Sequence, residues 1–219
     1  MTIHRLVLLC AWLAVGLPSG ASTLSAQVAR PPAKGASAAA WQASIALEGT
    51  NQFSEALTAL EQLPDAERAG YLANFRRGWL LYRAARYGDS VAAYTRALSL
   101  QPASIEVRVA LLSPLIALSS WTDVVLHARE VLKRDPENYL AMQRLALAQF
   151  NTQHFAEAES LYRHVLLLYP SDIDMRCALA WSALRMGKQR EAAALFAEVL
   201  EVSAGHTSAQ AGLQAATPR

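Results

Sequence analysis

Residues 71–104 read YLANFRRGWLLYRAARYGDSVAAYTRALSLQPAS, and this stretch decides the fold. Apolar residues recur at helical spacing on both sides of a polar break at Gly88-Asp89, and Pro102 falls where a second helix must stop. A proline lacks an amide donor and biases the preceding residue away from helix. The stretch therefore reads as helix, turn, helix. Pro102, Pro136 and Pro170 lie 34 residues apart, and Tyr94, Ala128, Tyr162 and Phe196 keep the same spacing. A second ladder, Phe53, Tyr87, Trp121, Phe155 and Gln189, has four aromatics in five places in a chain of only 8 % aromatics. The period makes each 34-residue stretch one structural unit.

In that register the chain divides into units 37–70, 71–104, 105–138, 139–172 and 173–206. No segment alternates as a strand should. A single pair of short helices cannot bury its apolar face, so neighbouring pairs must stack into a continuous core. Gly78, Tyr94, Ala97 and Pro102 stand where the tetratricopeptide pattern wants its glycine, second-helix aromatic, small residue and terminal proline, and the chain resembles that family over about residues 37–206. The resemblance implies an all-α fold, a right-handed superhelical solenoid of antiparallel helix pairs. Ser90 departs from the family's alanine and Leu81 from its tyrosine, and the third unit has lost nearly every small residue.

The third unit is the anomaly. Its first helix holds Pro114 inside an apolar run, at a cost of about 3 kcal/mol or a bend. Leu112, Val124 and Val131 stand where small residues are the rule, so its helices should lie further apart, with the small Ala128 offsetting the volume.

Residues 1–26, MTIHRLVLLCAWLAVGLPSGASTLSA, have Arg5 as their only formal charge, then twelve apolar residues from Leu6 to Leu17, Pro18 and small residues. That is the layout of a secretory signal, with cleavage expected after Ala26 or, second, Ala21, and an exported, periplasmic or extracellular mature chain. Twelve apolar residues fall short of the roughly 20 that span a bilayer, so no stable membrane span is expected in the mature chain. Cys10 lies inside the apolar run behind Leu9, which is wrong for lipid attachment. With the leader removed Cys177 is the last cysteine, so the mature chain holds no internal disulfide. Residues 27–36 read as an extended linker, and 207–219 as a tail or partial capping helix around Leu213.

Catalytic chemistry is not visible. His127, His154, His164 and His206 make no ligand-like pair, there is no Gly-rich phosphate loop, Gly-x-Ser-x-Gly turn or Cys-x-x-Cys, and no metal or cofactor is expected. A net charge of +2 argues against a nucleic-acid binder. The expectation is a non-enzymatic module that binds a protein or peptide segment.

The family's superhelix places that site. Its concave groove is lined by each first helix at its second, fifth, ninth and twelfth positions, spacings that share one helical face. These are Leu72, Phe75, Trp79 and Tyr82 in the second unit, and Glu106, Val109, Ser113 and Ile116 in the third. The fourth supplies Leu140, Gln143, Leu147 and Phe150, the fifth Asp174, Cys177, Trp181 and Leu184. Arg76, Arg83, Arg144 and Arg185 lie beside them, placed to rim the groove and pair with an acidic or carboxyl-terminal segment. Trp79 and Trp181 fit groove or core equally, whereas Tyr94, Tyr162 and Phe196 face the first helix and belong to the core. Cys177 is either a buried hydrophobe or a groove thiol. The family's carboxylate clamp needs lysine and asparagine where Phe75 and Trp79 stand, so that mechanism is absent. Two roles follow: an exported adaptor for a peptide or subunit in envelope assembly or export, including holding of unfolded cytochrome or outer-membrane chains, or a self-associating scaffold.

Overall fold

The computed structural model describes residues 35–217. The expected leader, its cleavage sites, Cys10 and most of the linker lie outside the described residues. Those described are helical, with no strand.

Each unit opens on a first helix: α1 (Ala36–Gly49), α4 (Tyr71–Arg83), α6 (Ile105–Ala117), α8 (Tyr139–Asn151) and α10 (Ile173–Arg185). Each is followed by a second helix, α2 (Phe53–Leu60), α5 (Tyr87–Leu100), α7 (Trp121–Leu132), α9 (Phe155–Leu168) or α11 (Gln189–Val202). Ten helices were expected; among the described residues there are twelve. Pro64 breaks the second helix of unit one, and a single turn, α3 (Asp65–Arg68), resumes behind it. After the fifth unit α12 (Thr207–Ala216) stacks on α11 and covers the end of the core.

The periodic ladder Phe53, Tyr87, Trp121, Phe155 and Gln189 supplies the first residue of every second helix. The turns before these helices share one geometry. Asn51, Ala85, Ser119, Gln153 and Gly187 all have positive φ, between 55° and 78°. In each turn the left-handed residue bonds back to the carbonyl three residues earlier, and its successor to the one five earlier, as in Ala85 N–H to Tyr82 O and Arg86 N–H to Leu81 O. This pair of hydrogen bonds closes the helix end. Gly88-Asp89 is therefore not the turn expected from sequence: both residues already belong to α5, and Ala85 makes the reversal.

First helices begin on a second periodic device. The side chains of Ser104, Asn138, Asp172 and His206, again 34 residues apart, accept a hydrogen bond from the amide three residues on. The phenol of Tyr71 reaches Ser104, and that of Tyr139 donates to Asp172 at 2.6 Å, so these two caps are also tied to the preceding unit.

The core runs the length of the array. Tyr94, Ala128, Tyr162 and Phe196 are buried on the second helices as expected. Ser90, where the family has alanine, is buried and donates to the Gly78 carbonyl at 2.7 Å. α6 continues unbroken through Pro114, which is buried. α6 and α7 approach each other over less of their length than any other pair within a unit, in line with their larger side chains.

Among first helices, α4 meets α6, α6 meets α8 and α10 meets α12, whereas no two successive second helices approach as closely. The first helices therefore lie on the inner, concave side. The seams between α1 and α4 and between α8 and α10 are drawn together less closely.

Candidate functional site

The seam between α8 and α10 holds an apolar pocket of about 380 Å³, lined by Leu147 and Phe150 from α8, Tyr162 from α9, and Ala178, Trp181 and Arg185 from α10. Its walls are fixed by packing. The Phe150 ring meets Phe155 edge-on at 5.3 Å, and Trp181 meets Phe196 edge-on at 5.2 Å. The Trp181 indole N–H donates to Ser208 Oγ of α12 at 2.9 Å, which holds the ring across the seam.

Arg185 stands at this pocket with its guanidinium carbon 4.6 Å from the centre of the Phe155 ring and 5.9 Å from that of Phe150. It has no carboxylate partner among the described residues. Stacking on two rings thus holds a cation whose charge stays unneutralised. Tyr162 is 3 % exposed, and its hydroxyl has no hydrogen-bond partner among the described residues. Burial pushes the Tyr162 phenol upward, so it stays protonated and keeps a donor to offer.

One hundred and two residues earlier the same register is filled differently. Arg83 stacks on Phe53 at 4.7 Å and on Trp79 at 5.4 Å, repeating Arg185. Glu48, however, stands where Phe150 stands, accepts from the Trp79 indole and pairs with Arg76 at 2.9 Å. The seam between α1 and α4 carries its own carboxylate; the seam between α8 and α10 does not.

The groove residues expected from sequence divide accordingly. Leu147, Phe150, Trp181 and Arg185 come together in the pocket. Leu72, Trp79 and Leu140 are exposed on the same inner helices, at 66, 37 and 44 %. Tyr82 is half-buried between Trp79 and Tyr87, and Val109 and Gln143 are half-buried. Ile116 packs against the core of the third unit. Phe75 is drawn inward, edge-on to Tyr94 at 5.6 Å, because Gly78 leaves that ring close to the first helix.

Two placements correct the expectation. Cys177 is buried beneath α12, its thiol raised by desolvation and 3.6 Å from Ser208 Oγ, so it is no groove thiol. Arg76 does not rim the groove: its Nε donates to buried Ser44 at 2.8 Å and its Nη1 to Glu48. Among the described residues Arg83 and Arg144 have no carboxylate partner, and Arg83 bonds to Asn51 Oδ1 at 3.2 Å. Sequence reasoning missed Ala178 and Tyr162 as pocket-lining residues. Ala178 gave no signal, and Tyr162 reaches the pocket from a second helix whose register assigned it to the core.

Among the described residues no group of three metal-ligating side chains occurs, and no helix is long and apolar enough to cross a membrane.

A curved stack of helix pairs with an open apolar inner seam defines a superhelical repeat array. Residues 42–105 match a family described as Tetratricopeptide repeat, the same register runs on through α12, and the chain is built of tetratricopeptide repeats. Solved structures share the fold. MamA, residues 41 to the end, from Desulfovibrio magneticus RS-1 superposes with a TM-score of 0.72 at 18 % identity over 76 % of this chain and 94 % of that one. A second MamA structure gives 0.70 at 14 % identity over 76 % and 91 %. YrrB, described as a tetratricopeptide protein with an unusual peptide-binding site, gives 0.69 at 14 % identity over 77 % and 87 %. No curated protein sequence matches the chain.

Proposed function

We propose that the chain is a non-catalytic interaction module that holds a peptide segment of a partner protein on its concave face. The observation that carries this reading is the apolar pocket between α8 and α10, walled by rigid aromatics with nothing of the described chain filling it. Aromatic anchors in pre-formed pockets are the usual source of binding energy at protein surfaces. The peptide-binding site named for YrrB is consistent with such use of this fold. The leader-like layout of residues 1–26 supports work outside the cytoplasm, and the adaptor role fits envelope assembly or export.

Ala178→Leu tests the reading, because it fills the pocket without removing a packing contact. Binding to a partner captured from envelope extract should fall by tenfold or more, on the order of 1.4 kcal/mol, with an unchanged melt. Unchanged binding would move the site elsewhere. Mass spectrometry of protein from its own host should show the leader removed; an intact leader on a cytosolic species would reject export.

Self-association is a second reading, favoured by Leu100, Leu168 and Val202. These are exposed at one register on the second-helix ends, Val202 at 70 %. Sedimentation of the mature chain across a hundredfold concentration range separates the two: a constant monomer rejects the scaffold.

A further inference from the structure

Resting on the peptide-binding reading, we infer that the α8–α10 pocket selects an acidic segment, one large apolar side chain flanked by aspartate or glutamate two residues away. The pocket takes the apolar anchor. Its mouth carries the Arg185 guanidinium, stacked on Phe155 and Phe150 and free of any carboxylate among the described residues. A second cation without an ion pair among the described residues, Arg144, precedes Leu147 and Phe150 on α8 at three-residue steps. Neighbours three apart share a helix face. Leu147 therefore adjoins Arg144 on one side and Phe150 on the other, and Arg185 stacks on Phe150, which sets one cation toward each end of the pocket.

The row from Arg144 to Phe150 rises about 9 Å along the helix axis, with Arg185 beyond it. On an extended peptide, side chains of residues i, i+2 and i+4 share a face and span about 13 Å. An acid at i, a large apolar residue at i+2 and an acid at i+4 meet the row in register. A lone terminal carboxylate would reach only one of the two arginines, which is why side-chain acids are the assigned source. The Tyr162 hydroxyl, unpartnered among the described residues in a side chain 3 % exposed, supplies a donor to the backbone of the anchor. The equivalent place between α1 and α4 already holds Glu48, paired with Arg76 and the Trp79 indole.

The test uses fluorescein-labelled peptides with blocked carboxyl termini, GSGDSFSDGS-amide and its Asp→Asn and Phe→Ala versions, and one arm, GSGNSGSF, ending in a free carboxylate. Anisotropy with the described chain should show the aspartate peptide binding about tenfold tighter than the asparagine peptide, since bonds to a charged group are worth roughly twice neutral ones. Arg185→Met keeps the stacked stem and removes the charge. It should cut the preference to about threefold, with Arg144 still holding one acid, and Arg144→Met together with Arg185→Met should abolish it; the melt of each variant confirms that it is folded. Equal binding of the aspartate and asparagine peptides overturns acid selection and leaves the peptide reading standing. Tighter binding of the free-carboxylate arm overturns side-chain acids as the source. Binding of none of the four up to millimolar concentration overturns this inference and tells against the peptide reading itself.

Discussion

Gly78 of α4 lies flat against the ring of Tyr94 on α5, so close that a Cβ added to the glycine would meet ring carbons at 2.6 to 2.8 Å. The ring is fully buried, and Phe75, one turn before Gly78 on the same helix, meets it edge-on. The third unit solves the same contact in reverse: Leu112 takes the glycine's place and Ala128 the tyrosine's, both fully buried. Bulk is conserved across the pair while its owner changes.

Gly78→Ala should therefore destabilise the array. Alanine is the better helix former by about 1 kcal/mol, but overpacking a filled contact costs about 1–3 kcal/mol. The expected net loss is up to about 2 kcal/mol by urea melt, and Gly78→Ala combined with Tyr94→Phe should not recover it, because the clash is with ring carbons rather than the hydroxyl. A variant at least as stable as the parent would show that the two helices separate freely.

Ala85→Gly should act in the opposite sense. Ala85 has φ 58°, and its Cβ makes that left-handed geometry cost about 1 kcal/mol, whereas glycine adopts it freely. The gain should be about 0.5–1 kcal/mol, reduced by the greater freedom of glycine in the unfolded chain. The control Ala84→Gly, one residue earlier with φ −81°, should only destabilise.

These two sites show what the sequence discloses. The array was legible because prolines, core aromatics and second-helix starts recur in residue types that differ little from unit to unit. The left-handed turn position recurs just as strictly, yet it is occupied by Asn51, Ala85, Ser119, Gln153 and Gly187, and only the last announces itself. Backbone geometry there is imposed by the helix-end hydrogen bonds, not by side-chain preference. The candidate site was half legible for a similar reason. Helical register puts Leu147, Phe150 and Trp181 on the inner face, but whether a seam opens depends on partners from other helices. Arg185 on Phe155 and Arg76 on Glu48 are pairings about one unit apart in sequence, invisible to any pattern within a single helix.

The junction of units four and five should be sensitive to acid. Glu159 is buried on α9, accepts from Lys188 Nζ at 2.7 Å and from Arg163 at 2.7 Å, and Arg163 reaches on to Glu191. Burial alone would raise the carboxyl, but the hydrogen bonds from Lys188 and Arg163 outweigh it and hold Glu159 below the usual carboxylate range. A depressed folded value means stability present above the unfolded value near 4.3, about that of a free glutamate, and lost as pH falls through the folded one. Glu159→Gln should cost about 2 kcal/mol at pH 7, and the difference from the parent should close below about pH 4. A gap that is constant from pH 7 to pH 3 would mean that the ion pairs contribute nothing.

The last prediction concerns how one unit grips the next. Asp172 caps α10 by accepting the Met175 amide at 3.0 Å, and its other oxygen accepts the Tyr139 phenol from the start of α8 at 2.6 Å. Burial first, then this hydrogen bond to a carboxylate, pushes the Tyr139 phenol up to about 12, so it remains a donor through the neutral range. Asparagine caps as well as aspartate, so Asp172→Asn should keep the cap, weaken the tie to Tyr139, and cost under about 1 kcal/mol. Asp172→Ala loses both and should cost about 2 kcal/mol. Tyr139→Phe removes only the tie, at about 1 kcal/mol, and in the Asp172→Ala background it should cost almost nothing, since the acceptor is already gone. Melts of the four proteins in urea measure that coupling directly. Full additivity would show that the cap acts within α10 alone, and that the fifth unit is held to the fourth by apolar packing without the phenol.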